Sequence, residues 1–413
     1  MKIQRLLLGL FVSTLTLASQ ASTYLKPEGY EVPAIRLRAD SSHSLNLPPH
    51  TILGLDDPLF LDNRDIFLKF LSFGGEESTG ILKWSQDQGL DVHSISADSY
   101  ASGLSLDPAS GDILYEQINY GYFSEGVMRI SSRLENPRRE FFDRNYLFTS
   151  SPQGLREGRR FVVREQKDDG SQGIALLSSN GQVQTLVTSA SRHASSPYSY
   201  LFPQQAIEDG RVVLKVRHGE AGQIGERQGD EIVLVSTTKD KVATTSLLRD
   251  ADLDAASPFA SFDNTGAVNT AGDIAWIVKL KSGRRALAYK AHDQAVRILA
   301  EEGQGGLREL QPFRASLNLR GDIVFRARDS EGREGVWRAE AWSGKVYPLI
   351  RENDRLKTDR GAALVGVKGD FPGVIYAAPQ LNARGDILVG ALLRSEETGR
   401  DLGLGYFVVE PMQ

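Results

Sequence analysis

There is no cysteine among the 413 residues. That absence excludes a disulfide framework, a thiolate metal site, a thiol nucleophile and the lipidated cysteine of a lipoprotein. Neither sign of charge is in large excess: 48 Lys and Arg stand against 53 Asp and Glu, a formal net charge of −5. Such a chain has no basic surplus with which to hold nucleic acid or an anionic membrane surface. Long hydrophobic runs are missing too. Beyond the N-terminus nothing approaches the roughly 18 apolar residues of a membrane-spanning helix. No Gly-Lys-Ser/Thr phosphate loop occurs, and Gly303-x-Gly305-Gly306 has neither the preceding strand nor the following helix of a dinucleotide fingerprint, which argues against nucleotide enzymes.

What is present begins with an export pattern. Lys2 and Arg5 form a basic start, Leu6 to Leu17 an apolar stretch of 12 residues, and Ser19-Gln20-Ala21 a small-residue cleavage site. The pattern predicts a signal peptide over residues 1–21, cleaved before about Ser22. Cleavage leaves 46 basic against 53 acidic residues, a net charge of −7. A periplasmic or extracellular protein is expected, and freedom from thiols suits an oxidising compartment.

The body of the chain repeats. A turn residue, then Gly-Asp or a relative of it, then an apolar run recurs at Asn63-Arg64-Asp65-Ile66, Ser110-Gly111-Asp112-Ile113, Glu157-Gly158-Arg159-Arg160-Phe161, Asp209-Gly210-Arg211-Val212, Ala271-Gly272-Asp273-Ile274, Arg320-Gly321-Asp322-Ile323 and Arg384-Gly385-Asp386-Ile387. From Arg64 through each glycine the steps are 47, 47, 52, 62, 49 and 64 residues. The sixth copy reads as four short strands between turn signals: Phe313 to Leu317, Ile323 to Arg328, Val336 to Glu340 and Lys345 to Arg351. No segment carries a sustained helical period. A small sheet of this kind hides its two faces only by stacking on the next, so seven copies predict an all-β fold: a seven-bladed β-propeller of four-stranded antiparallel blades.

The ends bear on closure. The seventh copy stops after its third strand, Gly405 to Val409, and Val32-Pro33-Ala34-Ile35-Arg36 mimics the sixth copy's fourth strand, Tyr347-Pro348-Leu349-Ile350-Arg351. The expected organisation is a signal peptide (1–21), an N-terminal arm (22–57) with a ring-closing strand at about 31–38, and the propeller (58–413). Pro33 fits an outer strand, where a missing N–H does no harm.

The Asn-x-x-Gly-Asp-Ile-x-Phe core, complete from Asn318 to Phe325 and followed by Gly-Val-Trp at Gly335, resembles the uncharacterised propeller repeats of secreted bacterial proteins. The resemblance runs from about Pro58 to the C-terminus. Its third and fourth copies depart from the pattern, with Arg159 and Arg211 in place of Asp. It implies an architecture and carries no catalytic residue with it.

Candidate chemistry comes from loop lengths. Loops joining strands two and three, and strand four to the next blade, emerge on one face, and three of them are enlarged together: Ser189 to Phe202, His218 to Asp230 and Asp250 to Phe262. They are expected to be neighbours. They carry His193, Tyr198 and Tyr200, then His218, Glu220, Glu226 and Arg227, then Asp250, Asp252 and Asp254. Aromatic rings for stacking on sugars, a base or acid near neutral pH and carboxylates are the parts of a polysaccharide lyase or hydrolase acting on an acidic glycan, with His193 or His218 as proton acceptor and Tyr198 or Tyr200 as donor. In a binding protein Glu220, Arg227, Asp250, Asp252 and Asp254 are the ligand-contact candidates.

Other motifs fail on inspection. Asp250-x-Asp252-x-Asp254 has Ala255 and Ser261 where a calcium loop needs Gly and Glu. Ser236-Thr237-Thr238-Lys239 follows a strand and leads into a hairpin instead of opening a helix. The six histidines form no close ligand pair, so neither metal nor cofactor is expected. Trp84 and Trp337 are assigned to blade interfaces. Asp65, Asp112, Asp273, Asp322 and Asp386 are expected to accept backbone hydrogen bonds in tight turns. The expected role is a monomeric, exported binding or scaffold propeller whose partner is an envelope protein or glycan, with a polysaccharide-degrading enzyme as the alternative. Excising residues 22–40 from the exported chain should lower its melting temperature if the arm closes the ring; an unchanged temperature would count against closure.

Overall fold

The computed structural model describes residues 57–411 except 73–77, 86–87, 96–97, 120–123, 143–146, 149–150, 168, 221–226, 239–240, 359–360 and 368–372, together with the backbone at 30–31 and 51–53. The predicted signal peptide with its cleavage point, residues 32–38 of the expected closing strand, and Glu226 lie outside these. Among the described residues there is no helix.

Seven antiparallel sheets follow one another along the chain, one for each sequence repeat. The fourth is representative. Tyr198–Leu201 and Gln205–Ala206 lie innermost on Val212–His218, followed outward by Gly229–Thr238 and Lys241–Arg249. Each second strand reads as a nearly continuous apolar run, because both of its faces are covered. Val212 to Val216 are all buried, as are Ile274 to Val278 and Asp322 to Ala327. The chain is a seven-bladed β-propeller.

Seven apolar clusters fill the seven junctions between blades. Trp337 packs with Phe325, Leu287 and Tyr289 between blades five and six. Phe60, Ile66, Leu68 and Leu82 of the first blade pack against Leu388, Leu404, Tyr406 and Val408 of the seventh, with Trp84 against the same cluster. Both tryptophans therefore sit at interfaces, as their residue type suggested. Complete burial of a Leu, Ile or Phe contributes about 1.5–3 kcal/mol each.

At the outer edge of the seventh blade Tyr30 and Glu31 pair antiparallel with Pro411 and Glu410. Thr51–Leu53 pair with Phe70 to Ser72, so the first blade's ladder begins ahead of residue 58. The seventh blade also carries an extra strand, Arg355–Thr358, hairpinned onto Gly361–Val365.

The Asn-x-x-Gly-Asp turns work differently from the expectation that their aspartates accept backbone amides. The asparagine does so. Asn318 Oδ1 accepts the N–H groups of Arg320 and Asp322, both at 3.0 Å, while its Nδ2 donates to Asp322 Oδ2. Asn269 and Asn382 repeat the arrangement with Asp273 and Asp386. The aspartate is thereby aimed at a cation: Asp322 meets Arg338 of its own blade, and Asp386 meets Arg64 of the first. Asp273 alone among these three accepts a backbone N–H, from His292. The turns also join blades, since Asn269 Nδ2 donates to Asn318 O and Asn382 Nδ2 to Leu61 O.

Arg64 shows why one copy gives up its glycine. It has φ 69° at the position that Gly321 and Gly385 hold at 77° and 92°. Its guanidinium crosses the junction to Asp386 by two hydrogen bonds of 3.1 and 3.2 Å and reaches Glu410 as well. Asp386 and its neighbours hold the Arg64 pKa above the ordinary arginine value, chiefly through that hydrogen bond. Arg64→Ala should destabilise the protein by about 2–3 kcal/mol by stranding the buried Asp386 carboxylate. Arg64→Gly should cost about 1 kcal/mol less, because glycine relieves the positive φ. Denaturant titration of both variants checks the order.

Candidate functional site

The three enlarged loops do meet. Ala190 N donates to Tyr198 O across the first, Gly219 N to Pro197 O between the first and second, and Arg227 Nη2 to Ala260 O, 2.6 Å, between the second and third. The strand ladder places Tyr198 opposite His218, and the Tyr198 ring stands edge-on to the imidazole with centroids 5.2 Å apart.

The groups nominated for chemistry are engaged in holding these loops. His218 Nε2 lies 2.8 Å from Glu231 Oε2, and Arg249 Nε donates to the other oxygen of Glu231 at 2.9 Å. Tyr200 accepts a hydrogen bond from the buried Arg164, 3.0 Å, and its ring meets Phe202 edge-on. Asp250 is fully buried and caps a turn: it accepts the N–H groups of Asp230, Asp252 and Leu253 at 2.7, 3.1 and 3.3 Å, and pairs with Arg227. Asp254 accepts the N–H of Ala256, and Asp252 lies exposed 3.4 Å from Arg227. His193 is exposed, with Nδ1 2.8 Å from Ser195 Oγ. Glu220 is exposed at the end of the described part of its loop. Among the described residues no hydrogen bond or ion pair joins His193 to His218, and no group of three His, Asp or Glu side chains is placed to hold a metal ion.

Electrostatics points the same way. Burial pushes the Glu231 carboxyl up, but hydrogen bonds from His218, Ser246 and Arg249 outweigh it and take its pKa from 4.5 down to about 2. A carboxylate so tightly held is a strut, unsuited to exchanging protons near neutral pH. Burial raises the Tyr198 pKa, with the Glu231 charge adding to it.

A second feature of the fold went unnoticed in the sequence. In five blades the innermost strand is broken in its middle; in the second, where Ser99–Leu106 runs on, it bulges at Gly103 with φ 56°, and in the seventh Ile375–Leu381 shifts register between Tyr376 and Gln380. Among the described residues proline stands at the break in four of the five broken blades, at Pro58, Pro152, Pro203 and Pro312, where no ladder N–H is needed. Those prolines, each between two short strand segments, were the available signal. They account for one expectation that needs correcting. Phe313 does not open the sixth blade's first strand, which consists of Leu307–Leu310 and Ser316–Leu317, and lies in the gap between them.

The breaks surround the propeller axis and bound a cavity of about 720 Å³, to which all seven blades contribute. Buried cations from second strands reach carbonyls at the break or the register shift of the following blade. Lys215 Nζ donates to Phe262 O at 2.7 Å, and Arg326 Nη1 to Ala377 O at 3.4 Å. Ala377 is held at φ 59°, since its own carbonyl meets Arg326 while the next N–H, of Ala378, meets Asp57 Oδ1 at 2.9 Å. A non-glycine residue in that region costs on the order of 1–2 kcal/mol, and such strain gathers at functional places.

Solved structures share this architecture. The β-propeller domain of the Trilobed protease from Pyrococcus furiosus, described as having an open velcro topology, matches with a TM-score of 0.54 at 12% identity, over 86% of this chain and 95% of that one. Pyrococcus horikoshii acylaminoacyl peptidase matches with a TM-score of 0.52 at 12% identity, over 89% of this chain and 54% of that one. A prolyl endopeptidase gives 0.54 at 11%, over 88% and 50%. The chain thus spans about half the length of those two peptidases. At these identities the likeness is one of fold. No family model and no curated protein matches the chain.

The Glu231 cluster yields a pH dependence. A carboxyl whose pKa is depressed by folding stabilises the protein above its unfolded value and ceases to do so as pH falls through the folded value. The contribution of Glu231 should therefore be complete above about pH 4.5 and disappear towards pH 2. Glu231→Gln should be less stable than the parent at pH 6, with the gap narrowing over that acid range in urea titrations at stepped pH. A gap independent of pH would contradict this.

Proposed function

We propose that this chain is an exported binding or scaffold propeller of the cell envelope. The observation that carries the reading is the engagement of the nominated reactive groups: His218 is fixed between Tyr198 and Glu231, Tyr200 accepts from Arg164, and the oxygens of Asp250 are taken up by backbone amides and Arg227. General acid–base catalysis needs a group that reaches the substrate proton and changes protonation readily. These side chains instead tie three loops into one rigid face, which suits recognition. The matched part of the Pyrococcus furiosus protease is likewise, by its description, a propeller domain. For the address, support comes from Lys2, Arg5, the apolar stretch to Leu17 and Ser19-Gln20-Ala21.

Incubation with polygalacturonate and alginate tests the reading against a lyase, whose unsaturated products absorb in the ultraviolet. The absorbance should stay flat, and His218→Ala should lower the melting temperature by several degrees through loss of the Tyr198 and Glu231 contacts. A rise in absorbance that His218→Ala or His193→Ala abolishes would overturn the binding reading.

A further inference from the structure

The axial cavity has the chemistry of a ligand site, and the loop face described above does not account for it. Its volume, about 720 Å³, lies within the roughly 300–1,000 Å³ of small-molecule pockets. The charged side chains among its described lining are Asp57 and Arg314, 3.5 Å apart, so they compensate each other. The remaining polar lining is neutral. Gln205 and Gln380 each anchor their Nε2 on a backbone carbonyl, that of Gln204 at 3.0 Å and of Ala378 at 3.1 Å, which presents the side-chain oxygen as a fixed acceptor. Gln153 is anchored the other way, its Oε1 accepting from Ala206 N, and presents the amino group as a donor. Phe313 supplies an apolar plane: it remains 40% exposed although Arg326 Cζ stacks 3.5 Å from its ring centroid. Arg326 is itself held by Gln311 and Glu334, so the ring has a rigid backing and one face left over.

An aromatic plane with fixed amide donors and acceptors around it, and no uncompensated charge, complements a molecule with an apolar C–H face and a rim of hydroxyls. From this geometry we propose that the axial cavity binds a short neutral saccharide, with Phe313 stacking on a sugar ring and Gln153, Gln205 and Gln380 pairing with hydroxyls. The proposal rests on the binding reading above and supplies its site and ligand class. An acidic glycan is disfavoured, since Arg314 is already neutralised by Asp57.

Calorimetric titration of the full chain with cellotriose, maltotriose and triacetylchitotriose, with trigalacturonate as the anionic comparison, tests it. At least one neutral trisaccharide should bind with a dissociation constant below about 1 mM. Phe313→Ala should weaken it at least tenfold and Gln205→Leu at least threefold, while His193→Ala, on the loop face, leaves it unchanged. Gln205→Leu keeps the test decisive if Phe313→Ala fails to fold, because Gln205 is only part-buried and its amide bonds to a backbone carbonyl. Three silent neutral titrations, heat from trigalacturonate alone, or undiminished affinity in Gln205→Leu and a folded Phe313→Ala would each overturn the proposal. The last of these would leave the binding reading standing with its site elsewhere, whereas the absorbance assay decides that reading independently.

Discussion

A four-stranded sheet has two apolar faces and can cover neither by itself. In this chain that constraint is met seven times over, each blade lending one face to the blade before it and one to the blade after. The arrangement is stable only if the last blade meets the first, because an open junction would expose the faces of both. The junction between blades seven and one is accordingly sealed in two ways. Phe60, Ile66 and Leu82 pack against Leu388, Tyr406 and Val408, and the surface above them is crossed by Arg64 to Asp386, by Asn382 to Leu61 O and by Ala383 N to Asp62. Contacts that span more than three hundred residues of sequence thus do the work that adjacent repeats do elsewhere. Tyr30 and Glu31 pair with the strand that ends at Pro411, on the outer edge of the seventh blade.

Closing seven twisted sheets around an axis brings their innermost strands together, and there the ladder gives way. In four blades Pro58, Pro152, Pro203 or Pro312 stands there, and in the fifth and seventh, which carry none of these four, carbonyls that leave the ladder need another partner. Lys215 and Arg326, at equivalent places in their second strands, supply it by donating forward to Phe262 O and Ala377 O of the next blade. Burial lowers the pKa of both cations, opposed by Asp230 beside Lys215 and Glu334 beside Arg326. A buried cation is costly unless it is paired and hydrogen-bonded, so its presence at this depth marks a structural need. The consequence is an axial cavity whose surface carries neutral amides and one compensated pair, Asp57 with Arg314, while the buried cations are held behind it.

The repeat was legible because its signals are local. A turn residue at a positive φ, usually glycine, with an aspartate or arginine beside it and an apolar run require only a few adjacent residues, and seven copies of them predict blade number and strand order without knowledge of the contacts. The enlarged loops were legible for the same reason, since strand order alone fixes which loops share a face. What those loops do was not. Asp250, Asp252 and Asp254 look alike in sequence, yet Asp250 is buried under three backbone amides while the other two face solvent. His218 looks like a base until Glu231 and Arg249, from the third and fourth strands of its blade, are seen beside it. The cavity was hidden for a related reason, because Gln153, Gln205, Phe313 and Gln380 are ordinary residues that converge only when the ring closes.

Rigidity is common to the loop face and the axial cavity. On the loop face, ionic and aromatic contacts immobilise side chains that would otherwise be free to act as acids and bases. In the cavity, each glutamine is pinned at one end, Phe313 is backed by a buried guanidinium, and Ala377 is strained by two opposing hydrogen bonds. Ordering flexible side chains on binding costs about 0.5–1.5 kcal/mol each, and a lining already ordered by folding avoids most of that cost. Because the lining is assembled from seven blades, its geometry is as stable as the ring itself. A substitution that loosens the junction at Arg64 should therefore disturb the cavity through Asp57 and Ala378, although Arg64 contributes no atom to its wall.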